Sequence, residues 1–186
     1  MAMPALVPHY TAREIRKFPE DRVRYEVIRG ELFVTPAPGL GHQRTVLELA
    51  TLFRDYLERN ALGEVIVAPF EVELTEDSAV QPDVLVILAD RARLLTKKRM
   101  MGAPSLAVEV ISYTSKRTDR LQKRQLYQEE GVPEYWVVDP ELRRVERWRP
   151  GDVVPQVLTD HLVWQPTAEA PELVIDLVKL FERVWR

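Results

Sequence analysis

Two apolar runs, each carrying one carboxylate, constrain this chain more than any other feature. They are DVLVIL over 83–88 and LAVEVI over 106–111, with Asp83 and Glu109 as the charged members. Runs so continuously aliphatic and β-branched suit strands buried on both faces. Such strands need helices or a second sheet on each side, which selects an α/β architecture. A carboxylate inside such a run is costly unless it is paired or holds a metal. Glu109 therefore points to function more strongly than Asp83 does, because Pro82-Asp83 alone is a common turn dipeptide.

The flanking segments supply the layers. Thr11 to Phe18 is expected as a short helix with Thr11 as N-cap and Glu14 closing a capping box. Residues 24–36 read as a hairpin turning at Arg29-Gly30. His42 to Asn60 carries a broad apolar stripe at helical spacing, stopped by Gly63. Residues 64–74 suit one strand. Ser115 to Glu130 suits a polar helix anchored by Leu121, Leu126 and Tyr127, and 134–138 a strand ending at Asp139-Pro140. Weaker strands fall at 143–149 and 153–158, and an amphipathic helix at 172–184. The order is a hairpin, then helix, strand, strand, strand, helix, strand, a mixed sheet flanked by helices. The 186 residues suit a single domain spanning 1–186.

Composition narrows the chemistry. There is no Cys and there are three His, which excludes disulfides and thiolate metal sites. Any metal would be held mainly by oxygen, as Mg²⁺, Mn²⁺ or Ca²⁺ are. No apolar run approaches the ~20 residues of a membrane span. Met1 to Tyr10 lacks signal-peptide regions, so a cytoplasmic protein is expected. Net charge is −3, but it is unevenly spread. Residues 91–124 hold 10 basic and 2 acidic groups, a local +8 between acidic flanks. Such a field attracts a polyanion, although a solvated basic face paired with the flanks would look the same.

Asp119, Lys123 and Tyr127 follow at i, i+4 and i+8 on one helix face. An Asp119–Lys123 pair is the ordinary reading of that spacing. Two hard carboxylates and an ammonium also share a purpose. Phosphodiester hydrolysis uses a divalent ion to activate water, with a Lys near the phosphate to stabilise developing charge.

The stretches RYEVIRGEL, His42, QPDVLVI, PSLAVEVIS, DRLQKRQLY and GVPEYWVVDP occur in that order over most of the chain. They resemble the Uma family of candidate restriction endonucleases, within the PD-(D/E)xK nuclease superfamily. The resemblance implies a restriction-endonuclease-like αβββαβ core, plus the N-terminal hairpin and C-terminal helix. It makes Asp83 the Asp of the "PD" element and Glu109 the acid of "(D/E)xK". Both would bind Mg²⁺ or Mn²⁺, with the Val110 carbonyl as an extra ligand. Ile111 stands where the classical Lys would be, so the resemblance moves that role to Lys123 on the following helix. Glu31 resembles the family's additional acidic residue, with an exposed turn-flanking Glu as the alternative. His42 could contact phosphate or transfer protons, or simply bond the local backbone. With Lys116, Arg117 and Arg120 it forms the expected nucleic-acid contact set. Tyr127 is expected to pack and Glu26 to be solvated.

The implied activity is a Mg²⁺-dependent endodeoxyribonuclease, a hydrolase that leaves a 5′-phosphate. A homodimer is expected, because enzymes of this type often cut both strands. The alternative is a nuclease fold that binds nucleic acid or a protein without cleaving, which Ile111 and the net negative charge favour. No zinc finger or basic helix repeat marks a recognition sequence.

Overall fold

The computed structural model describes residues 8–19, 23–111 and 119–186. The chain opens with α1 (Ala12–Ile15), capped by Thr11 and Glu14 in the expected box. Strands β1 (Val23–Ile28) and β2 (Glu31–Pro36) form the hairpin. Arg29 and Gly30 both take positive φ, as a two-residue primed turn requires. Helix α2 (Leu40–Asn60) leads into β3 (Gly63–Val67), β4 (Glu71–Thr75), β5 (Ser78–Val80) and β6 (Val84–Leu88). A 3₁₀ segment, Ala89–Leu94, precedes β7 (Arg99–Met101) and β8 (Leu106–Val110). A π-helical turn at Asp119–Lys123 runs into α3 (Arg124–Glu129). Then come β9 (Glu134–Asp139), β10 (Arg144–Trp148), β11 (Gln156–Leu158), β12 (His161–Trp164), β13 (Leu173–Asp176) and α4 (Leu177–Val184).

The six-stranded central sheet has the order β11-β10-β9-β8-β6-β3, with β8 and β9 parallel and the other pairs antiparallel. Both of its faces are covered, as the two apolar runs require. On one face Leu49, Phe53 and Leu57 of α2 and Leu180, Phe181 and Val184 of α4 pack on Val84, Val86, Val108 and Val110. On the other, Ile28, Val72, Val80 and Met100 of a five-stranded sheet (β2-β1-β5-β4-β7) join Leu126 and Tyr127 of α3 against Leu85, Ile87, Ala107 and Ile111.

Three expectations change. Residues 64–74 are two strands in different sheets, broken at Pro69, whose ring removes an N–H and fixes φ. Residues 172–184 are not all helix. Val174 and Ile175 pair with β12, and Asp176 then caps α4 by accepting from the Lys179 N–H. Gly63 does not stop α2, because Ala61 already takes the left-handed conformation there. Instead Gly63 permits the close approach of β3 to β6, since a Cβ on it would lie 2.1 Å from the Ile87 carbonyl oxygen. Gly63→Ala is thus expected to destabilise the fold by about 1–3 kcal/mol in urea unfolding. A loss below ~0.5 kcal/mol would show that the two strands can separate freely.

Candidate active site

Asp83 precedes β6 and Glu109 lies near the end of β8. The register Val84↔Val108, continued by one residue, sets them directly opposite each other. Opposed residues of an antiparallel pair point to the same face with Cβ atoms about 5 Å apart. Here that face is the one covered by the five-stranded sheet and α3. Asp83 and Glu109 are each 2% exposed, as are Glu26 and Lys123.

Asp83 is held from three sides. Arg24 Nη1 and Nη2 each donate to its Oδ1 at 3.0 Å. Its Oδ2 accepts from the Val110 N–H at 2.9 Å and lies 2.9 Å from His42 Nε2. Burial alone would raise this carboxyl. The His42 hydrogen bond and charge, Arg24 and the Val110 N–H outweigh it and hold the group below its ordinary 3.8. A depressed carboxyl contributes stability above its unfolded value and loses it as pH falls through the folded one. Urea midpoints should therefore drop below about pH 4, and Asp83→Asn should flatten that drop. An unchanged acid limb in the variant would assign the loss to other carboxylates.

Glu109 Oε1 accepts from Lys123 Nζ at 2.8 Å and from the Tyr127 hydroxyl at 3.1 Å. Burial and the Glu109 charge push that hydroxyl well above 10, so it stays a donor. Lys123 Nζ also lies 2.9 Å from Glu26 Oε1, which accepts from the Gln81 N–H at 2.7 Å. Arg24 sits in the field of all three carboxylates and is raised by them against its own desolvation. Arg24 thus pairs with Asp83, and Lys123 with both Glu26 and Glu109. Between them and Thr35, Pro36 and Pro38 lies a cavity of about 20 Å³, room for one water-sized particle.

The structure brings together Asp83, Glu109, Val110, Lys123 and His42 of the expected residues. Val110 contributes its N–H to Asp83. Glu31 is exposed at the hairpin turn, accepts from Gln122 Nε2 at 3.3 Å, and does not line the cavity. Lys116 and Arg117 lie outside the described residues, and the Arg120 side chain does too. The expected solvation of Glu26 is corrected, since it is buried and ion-paired. Tyr127 packs as expected and also bonds Glu109. Among the described residues the basic block does not form one face: Lys123 turns inward, Arg99 pairs with Glu71, and Arg124 stacks on Trp148.

Arg24 and Glu26 join the site without having been expected there, and a signal for them exists. Arg24, Glu26 and Ile28 alternate along β1, so an inward Ile28 carries both charges inward with it.

Among the described residues no three His, Asp or Glu side chains are grouped to hold a metal by themselves. The donor set still fits Mg²⁺ or Mn²⁺, which commonly take one or two carboxylates and complete their shell with water and substrate phosphate. The particle-sized cavity between the carboxylates agrees with that fit.

The family model described as Uma2, "Putative restriction endonuclease", matches residues 12–177. A crystal structure described as a putative nuclease belonging to DUF820 from Anabaena variabilis is 19% identical, with a TM-score of 0.79. The match covers 94% of this chain and 99% of that one, and it shows the restriction-endonuclease-like fold. No curated protein matches.

Proposed function

Because the chain belongs to the Uma2 family of restriction-endonuclease-like proteins, we propose that it is a Mg²⁺- or Mn²⁺-dependent endonuclease hydrolysing phosphodiester bonds in DNA. One observation carries the reading. Two opposed, buried carboxylates share a face with an ammonium 2.8 Å from one of them.

Asp83 and Glu109 would hold the ion, which when bound neutralises phosphate charge and makes water a better nucleophile. The chain's own groups prepare that site. Arg24, His42 and the Val110 N–H fix the Asp83 rotamer, and Tyr127 fixes Glu109. Glu26 and Glu109 pair with the Lys123 ammonium and hold it at the cavity, where it can stabilise charge building on a phosphate. Lys123 thus does from α3's approach what Ile111, a buried core residue, cannot do from the end of β8. A dimer would supply the second cleft needed to cut both strands.

The test is calorimetric titration of Mn²⁺ into wild type and Glu109→Gln, with cleavage of plasmid DNA and of an RNA transcript. Saturable binding lost in the variant, with DNA cleavage abolished by chelation and restored by Mg²⁺, is expected. The second reading, a non-cleaving binder, draws on Arg24 and Lys123 already occupying the carboxylates. Absence of both Mn²⁺ binding and cleavage would favour it.

A further inference from the structure

Helix α2 begins without the usual support. Its N-cap is Gly39, which offers no side-chain bond, and its first turn carries no acidic residue. An uncapped first turn leaves N–H groups unsatisfied and tends to fray. That turn nevertheless carries His42, whose Nε2 lies 2.9 Å from Asp83 Oδ2. His42 Nδ1 is buried and has no hydrogen-bond partner among the described residues, so no bond on the ring's other side fixes it there.

What holds the turn comes from the far end of the sequence. The Trp185 ring lies against Gly41, where a Cβ would come within 2.7 Å of it. Trp185 Nε1 donates to the Pro140 carbonyl at 3.0 Å, just past β9. Arg44 Nη1 donates to the main-chain oxygens of Val184 and Arg186, both at 3.0 Å. Residues 184–186 therefore strap the first turn of α2 to the end of β9. They lie beyond the segment 12–177 that the family model matches.

We propose that Trp185 is a positioning residue: through Gly41 it orients His42, and through His42 it holds the Asp83 carboxylate in its ligating rotamer. Its link to catalysis rests on the proposed nuclease function, whereas its link to His42 does not. The geometry aims Nε2 of His42 at Asp83 Oδ2, so an N–H on that nitrogen donates to the carboxylate.

The test reads the imidazole directly. The chain has only His9, His42 and His161, so ¹H–¹⁵N correlation of the ring nitrogens is tractable, with His42→Gln as the assignment control. Wild type should show a slowly exchanging Nε2–H for His42. Trp185→Ala and Arg44→Gln should each lose or broaden it while remaining folded. Trp185→Phe, which keeps an aromatic ring in the strap but loses the Pro140 bond and the distal indole edge that lies on Gly41, should weaken the signal less than Trp185→Ala does. Metal-dependent cleavage by Trp185→Ala should fall about tenfold in kcat with KM little changed. An unchanged His42 signal in both Trp185→Ala and Arg44→Gln would overturn the proposal. If Trp185→Ala fails to fold, Arg44→Gln and Trp185→Phe decide on the same signal. If wild type cleaves nothing, the nuclease reading fails while the imidazole spectra still decide the strap.

Discussion

Replacing Lys123 with Met should destabilise the fold by about 3–5 kcal/mol, the loss expected when one member of a buried charge network is removed. Met fills much of the volume of the Lys stem, so packing changes little. What changes is that Glu26 and Glu109, each 2% exposed, lose the ammonium lying within 3 Å of both. Arg24 remains, but its side-chain bonds go to Asp83 and the Gln81 carbonyl. Urea unfolding at neutral pH checks the value. Adding Glu26→Gln to Lys123→Met should recover part of the loss, because one buried charge is then gone. A loss below ~1 kcal/mol, with no recovery in the double variant, would mean that water reaches these carboxylates.

Asp83→Asn and Glu109→Gln should each reduce cleavage by on the order of 10³-fold, the scale seen when a preorganised electrostatic group is removed from a site. Both changes keep side-chain shape and delete charge. They act on different cations. Asp83→Asn leaves the Arg24 guanidinium with less compensation, and Glu109→Gln does the same to the Lys123 ammonium. Circular dichroism and urea midpoints must therefore accompany the rates. Folded variants that cleave like wild type would show that the carboxylates are structural. Lys123→Met, assayed where it remains folded, should lose about 10²–10³-fold, consistent with an electrostatic rather than a ligating part.

Glu109 was legible because it interrupts an apolar run, whereas Asp83, at the head of another, looked like a common turn residue until the family resemblance set it beside Glu109. Lys123 was legible only in combination, since Asp119, Lys123 and Tyr127 at helical spacing also describe an ordinary surface pair. The π-helical turn over Asp119–Lys123 was not visible, yet Lys123 and Tyr127 remain four residues apart and both reach Glu109. Arg24 and Glu26 escaped because a hairpin strand with alternating charges looks half-solvated. Only the stacking of the second sheet on the first buries that face. That stacking depends on β5 and β7, strands of three residues each, too short for periodicity to register. The division of 64–74 was readable at Pro69, and the start of α4 at Asp176. In both places the apolar character of the segment masked the break. The helical reading of 172–184 failed for the same reason, since Val174 and Ile175 fit either period.

The most direct test of the central claim is conversion of supercoiled plasmid by purified wild type and Asp83→Asn, with Mg²⁺ and with chelator. The nuclease assignment requires nicked or linear product only from wild type and only with the metal. Equal conversion by both proteins, or conversion that survives chelation, would contradict it.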